Sequence, residues 1–316
     1  MPCGSNCRRG YHARRMSPEG LEKELRSARH CDEWVAVLAD FFASRGLAFG
    51  HGTDNASDEA FWLLRHLQGW REVDSAAPPS AELTQRALAI AELRVDERKP
   101  LAYLLHEAWF AGLQFYVDER VLVPRSPLAE VVERSFEPWC TLQSGDRVLD
   151  IGTGSGCIAI AAAFYCPDVE VHATDISAPA LEVAALNVER HGLENRVRLF
   201  KADLFPPLDE RYRVIVTNPP YVPEAEVAEL PPEYRHEPVI GLASGVDGYD
   251  AAERILRGAR DRLKADGVLF LELGAGADAF AAAHPELPLI ALEFERGGDG
   301  VLVTTAGELR EFLRTR

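Results

Sequence analysis

The chain has 316 residues, 47% of them hydrophobic and 27% charged, which suits one large or two smaller globular domains and excludes a disordered protein. Lys+Arg 34 against Asp+Glu 50 gives 34 − 50 = −16, a charge that repels free duplex DNA and either attracts a basic protein partner or serves only to keep the protein soluble. No apolar run reaches the roughly 18 residues of a membrane span.

Residues 1–16 carry Arg8, Arg9, Arg14 and Arg15 without the apolar core of a signal peptide. They are expected to be a disordered extension, or to lie upstream of a start at Met16. The six cysteines (3, 7, 31, 140, 157 and 166) include no CxxC pair, and Cys157 and Cys166 lie in apolar helical context. That pattern fits reduced, buried thiols in a cytoplasmic protein. Cys3, Cys7 and His12 fall short of a metal-ligand set, so no metal is expected.

Residues 17–98 read as a small helical domain. Trp34, Val35, Leu38, Phe41 and Phe42 recur at helical spacing, and Gly46 ends that segment. A loop from Gly50 to Asn55 follows, with His51 expected to make ordinary hydrogen bonds. Ser57 is placed to cap a helix carrying Ala60, Phe61, Leu64 and Leu67. Ala76-Ala77-Pro78-Pro79 breaks the chain before a helix from Ala81 to Leu93.

The period changes over residues 99–125. Trp109-Phe110, Gly112 and Gln114 to Val117 predict a short hairpin, and Val121 to Arg125 an extended connector. The hairpin aromatics fit either its own core or a binding wall. Arg125, between Pro124 and Pro127, is harder to assign to packing.

Over residues 126–316 strands and helices alternate, which predicts a doubly wound α/β domain with a mostly parallel sheet. The strands are Arg147 to Ile151, Val169 to Asp175, Val197 to Ala202, Val214 to Thr217 and Val268 to Leu273. Helices run from Ile158 to Tyr165, Ser177 to His191 and Ala251 to Leu263. Leu289 to Glu295 and Gly300 to Thr304 read as a terminal antiparallel pair.

Two motifs carry chemistry. Asp150-Ile151-Gly152-Thr153-Gly154-Ser155-Gly156 lies at the first strand–helix turn, where glycines let the backbone approach a ligand. Asp175 follows 23 positions after Gly152, where an acid meets ribose hydroxyls. Cys157 breaks the dinucleotide fingerprint G-x-G-x-x-G, which disfavours an NAD-dependent dehydrogenase. Asp150 is awkward beside a pyrophosphate but suits the ammonium group of S-adenosyl-L-methionine (SAM). Asp203 is placed to accept from an adenine amino group, with Leu204 and Phe205 bordering the base; a solvated loop aspartate is the alternative.

The second motif, Asn218-Pro219-Pro220-Tyr221, ends an apolar strand, because neither proline donates to a sheet ladder. It suits a planar –NH2 group: the Asn218 side-chain oxygen and the Pro219 carbonyl each accept one N–H, and Tyr221 covers the π-system. Asn218 thus stands between cofactor and substrate.

These motifs resemble the class I SAM-dependent methyltransferases that modify planar amino nitrogens, which implies a seven-stranded sheet. Val121 to Arg125, with a helical domain in front, resembles the protein-glutamine N(5)-methyltransferases over roughly residues 31 to 305. Release-factor enzymes of that family read Pro-Arg-Pro-Asp-Thr-Glu after the connector. Here it is Pro124-Arg125-Ser126-Pro127-Leu128-Ala129-Glu130, which displaces the acid to Glu130. Gly50 to Asn55 resembles the branch that methylates large-subunit ribosomal protein L-three. The resemblance implies a substrate-gripping role for the helical domain and hairpin, a glutamine slot walled by Tyr221 and Phe110, and an orienting role for Arg125. A release factor as substrate, an adenine N6-methyltransferase and a non-catalytic SAM-binding factor are the alternatives. The −16 charge disfavours sequence-specific nucleic-acid binding.

Overall fold

The computed structural model describes residues 16–69 and 79–314, so the expected extension, Cys3, Cys7, His12 and the break at Ala76 to Pro78 lie outside the described residues. Two compact units divide between Leu105 and His106. The first therefore runs past residue 98, and the hairpin belongs to the second.

The first unit holds α1 (Pro18–Ser27), α2 (Glu33–Ala43), α3 (Ala56–Leu67), α4 (Ala81–Asp96) and α5 (Leu101–Leu105). Leu21, Leu25, Trp34, Leu38, Phe42, Leu63 and Ala91 are buried in it, and the Trp34 indole donates to the Leu25 carbonyl at 2.9 Å. The cap of α3 is Asn55, not Ser57. Asn55 is the residue with extended backbone, and its Oδ1 accepts from the Asp58 N–H at 3.0 Å. The Arg94 guanidinium meets Glu59 at 2.5 Å, both buried, and His51 is buried near the same carboxylate.

In the second unit, β1 (Ala108–Phe110) and β2 (Leu113–Phe115) form the expected hairpin. Ala111 and Gly112, at φ 49° and 72°, make its two-residue turn. After α6 (Leu128–Glu133) come β3 (Arg147–Ile151), α7 (Cys157–Tyr165), β4 (Glu170–Asp175), α8 (Ala178–Arg190), β5 (Val197–Lys201) and β6 (Tyr212–Thr217). The chain continues through α9 (Glu224–Val227), α10 (Asp250–Arg262), β7 (Leu263–Glu272), α11 (Ala277–Ala283), β8 (Ile290–Ala291), β9 (Val301–Thr305) and α12 (Ala306–Arg314). The sheet has seven strands in the order β5-β4-β3-β6-β7-β9-β8, parallel except at β8 and β9. Apolar runs such as Val148-Leu149 and Val214-Ile215-Val216 are buried on both faces, as a parallel sheet covered by helices requires. One core lies under α7 and the hairpin, the other under α10 and α12.

The strand order reverses between β3 and β6, so their carboxyl ends open a crevice there. The four described cysteines are buried free thiols. Among the described residues, no helix is long and apolar enough to cross a membrane.

Candidate active site

A cavity of about 550 Å³ occupies that crevice, within the range of small-molecule sites. Its floor is formed by Gly152 to Ser155 after β3, Asp175 to Ser177 after β4 and Ala202 to Leu204 after β5. Asn218 to Val222 after β6 form one wall, and Arg120 to Ser126 with parts of the connection before α10 complete it.

The glycine turn is built by its own backbone. Gly152 and Gly154 have φ of 72° and 54°, a region that side-chain-bearing residues rarely adopt. The Gly154 N–H donates to Asp175 Oδ2 at 2.9 Å and the Ser177 N–H to Oδ1 at 2.8 Å. Burial nevertheless pushes the Asp175 carboxyl above its ordinary value. Asn187 of α8, fully buried, braces the turn: its Nδ2 donates to the Ser155 carbonyl at 2.8 Å and the Tyr116 carbonyl at 2.9 Å. Its Oδ1 accepts from the Tyr116 N–H at 2.8 Å.

Asp150 lies beneath the cavity wall rather than in it, fully buried. Its Oδ2 accepts from Thr153 Oγ1 at 2.5 Å and the Ala159 N–H at 3.2 Å, while Oδ1 has no hydrogen-bond partner among the described residues. Burial raises this carboxyl to about 7, against the pull of those two bonds. Gly156 also lies behind the lining, where a Cβ would come within 3.3 Å of the Ala184 side chain of α8. Asp203 lines the cavity, with Oδ2 held by Arg254 at 2.6 Å. Leu204 lines it at a left-handed φ of 71°, held by Thr174 Oγ1 on its carbonyl at 2.6 Å. A non-glycine residue in that region is strained, and such residues concentrate at functional sites.

Asn218, Pro219, Pro220 and Tyr221 all line the cavity. The Asn218 carbonyl lies 4.0 Å from where a Cβ on Gly152 would sit, so the two motifs face each other. The Asn218 carboxamide is partly exposed and forms no hydrogen bond among the described residues. The Tyr221 ring packs over Gly274, and burial pushes its phenol up to about 12, so it stays neutral.

Arg125 is clamped. Its two terminal nitrogens meet Glu237 Oε1 at 2.5 Å and Oε2 at 2.8 Å, and its guanidinium lies 5.4 Å from the Tyr234 ring centroid. Burial works against its charge, but Glu237 outweighs burial and raises the pKa further. Phe110 is not brought to the cavity. It is buried under α7 with Phe115 and Leu128, because its strand turns that face into the core. Glu130 accepts the Glu295 and Arg296 N–H groups at 3.1 and 2.7 Å, which ties down the loop before β9.

Sequence reasoning missed four residues. Glu237 comes 112 positions after Arg125 and has no local signal. Asn187 was hidden in an ordinary helical pattern. Ile176, half exposed beside Asp175, gives the cavity an apolar wall, and an apolar residue directly after the strand-ending acid was a usable signal. Glu272, at the end of β7, is buried, accepts from Ser126 Oγ and is pushed by burial to about 7.

The family described as "Methyltransferase small domain" matches residues 139–230, which span the glycine turn and the Asn218 motif. Over 265 residues the chain is 46% identical to a Neisseria gonorrhoeae protein named ribosomal protein uL3 glutamine methyltransferase, covering 82% of this chain and 88% of that one. The chain belongs to this family of glutamine methyltransferases. A Bordetella pertussis member of the family is 46% identical over 274 residues, covering 83% of this chain and 90% of its own. The solved hMettl16 catalytic domain in complex with the MAT2A 3'UTR hairpin 6 shares the fold. It has a TM-score of 0.50 at 18% identity and covers 72% of this chain and 82% of that chain.

Proposed function

We propose that this protein methylates the side-chain amide nitrogen (N5) of a glutamine in large-subunit ribosomal protein uL3, the substrate its relatives are named for, with SAM as donor. The observation that carries the reading is the unpartnered Asn218 carboxamide on a wall shared with the glycine turn. When bound, SAM supplies an electrophilic methyl group on a positively charged sulfur.

The residues present fit that cofactor. Gly152 and Gly154 put no side chain of their own between backbone and ligand, Asp175 is placed to accept from ribose hydroxyls, and Ile176 and Leu204 would flank a flat base. Asp150, with one oxygen unpartnered, puts negative potential behind the turn at pH above about 7, where it ionises. Asp203 would hold the adenine amino group through the oxygen that Arg254 leaves available.

An amide nitrogen is a poor nucleophile because its lone pair is delocalised into the carbonyl. Asn218 Oδ1 and the Pro219 carbonyl each accept one of its N–H bonds, which fixes the nitrogen's direction, and Tyr221 covers the amide plane. Orientation of this kind contributes up to roughly 7–11 kcal/mol in ideal intramolecular cases. The same two oxygens stabilise the positive charge that develops on nitrogen. The proton then leaves to water. Arg125, locked by Glu237, orients the site. The enzyme acts in the cytoplasm, where its buried cysteines remain thiols.

The test is methyl transfer from labelled SAM to purified uL3, to a release factor and to naked RNA, side by side. Label on uL3, at glutamine N5, is expected. Label on the release factor or on RNA instead would overturn the reading. Asn218→Ala is expected to retain SAM binding and lose transfer.

A further inference from the structure

A glutamine side chain is only a few bonds long. For its amide to reach Asn218, the backbone on either side must lie on the cavity rim, and much of that rim is one segment. Residues 237–248 run back along Tyr221 to Glu224, fixed by three backbone bonds. The Val222 N–H donates to the Leu242 carbonyl at 2.8 Å, the Ser244 N–H to the Val222 carbonyl at 3.0 Å, and the Glu224 N–H to the Gly245 carbonyl at 2.9 Å. Glu237 anchors the near end to Arg125 and to the Val123 N–H.

This pinned segment nevertheless turns large aliphatic side chains outward. Val239 is 61% exposed, Ile240 57% and Val246 91%. Ile240 also lines the cavity, so the apolar rim and the cavity wall are continuous. Aliphatic side chains held out of the core on fixed backbone mark a contact surface. Over residues 222–248, the two paired segments of this rim, the exposed charges are mainly acidic: Glu224, Glu226, Glu229 and Asp247 against Arg235.

We infer that this rim is the docking surface for an extended, lysine- or arginine-bearing segment of the protein substrate that flanks the methylated glutamine. Val239, Ile240 and Val246 bury its apolar side chains, and the surrounding acids meet its cations. The inference rests on the glutamine-methyltransferase reading. It excludes a nucleic-acid occupant, whose phosphates the same acids repel.

The experiment compares steady-state methylation of full-length uL3 by the wild-type chain, by V239S/V246S and by E226K/E229K. These residues are exposed, so folding and SAM affinity are expected to hold in both variants. Loss of the apolar contacts is expected to raise KM for uL3 by about tenfold at unchanged kcat, since tenfold is 1.4 kcal/mol. The charge reversal is expected to raise KM and to flatten its salt dependence. An unchanged KM in both variants overturns the inference. So does a wild-type dimer, seen by sedimentation, that V239S/V246S dissolves at unchanged KM, because the patch would then belong to a second copy. A wild-type chain that labels no uL3 would instead overturn the glutamine reading beneath it.

Discussion

Gly248→Ala tests how finely the Asn218 motif must be placed. Gly248 sits at φ 86°, and a Cβ built there would lie 2.3 Å from the Tyr221 carbonyl oxygen. Real Cβ contacts essentially never fall below 3.0 Å, so the two backbones must separate by at least 3.0 − 2.3 = 0.7 Å. A left-handed alanine costs about 1–2 kcal/mol on its own. Displacement of the motif on a scale of ~1 Å lowers the rate by up to roughly a hundredfold, so kcat is expected to fall between about ten- and a hundredfold. Gly192→Ala is the control. It sits at φ 65° with nothing within 4 Å of the added carbon, so it carries the backbone strain without the clash. Both variants are expected to melt a few degrees lower, at about 2–4 °C per kcal/mol for a unit of this size. Thermal unfolding and uL3 methylation at saturating SAM separate the two effects. Equal kcat in the two variants would refute the argument that Tyr221 must be held where the structure places it.

Glu237→Gln keeps one acceptor for Arg125 but removes the charge at a buried position. A destabilisation of about 2 kcal/mol in urea unfolding is expected, with a drop in kcat and unchanged SAM affinity. Asp150→Asn bears on pH. Because burial raises the native carboxyl from 3.8 to about 7, its contribution is fully present below about 4 and is lost as pH rises through 7. Wild-type stability should therefore fall across that window relative to Asp150→Asn, by roughly 4 kcal/mol for three pH units. Parallel urea curves at pH 4 and 8 would contradict this. In the helical unit, Arg94→Met leaves Glu59 buried without its cation. A loss of about 3–5 kcal/mol is expected, read from the urea midpoint.

What the sequence made legible was local. The strand Arg147–Ile151 was readable because Val148, Leu149 and Ile151 are flanked by turn signals, and the structure returns the same bounds. The two prolines after Asn218 stop β6 at Thr217, so that motif could be placed at a strand edge from the sequence alone. The glycine turn and Asp175 were legible for the same reason. Partners set by the fold were not. Glu237 finds Arg125 only because the connection before α10 folds back, and Glu272 meets Ser126 from 146 positions away. Phe110 carries a two-way signal, since an aromatic in a hairpin faces either core or ligand, and only packing under α7 decides. Helices α6 and α11 escaped because they are six and seven residues long, too short for periodicity to stand out.

One carboxamide on α8 grips the chain at two distant places, the main chain of Tyr116 and the carbonyl of Ser155. The stretch around Tyr116 and the glycine turn proposed to cradle the donor are thereby yoked through a single side chain. Redesigning the stretch around Tyr116 would carry over into the proposed donor loop, whereas changing the exposed side chains of Val239 and Val246 leaves that yoke untouched. Those two side chains are therefore the better place to change what this scaffold is proposed to accept.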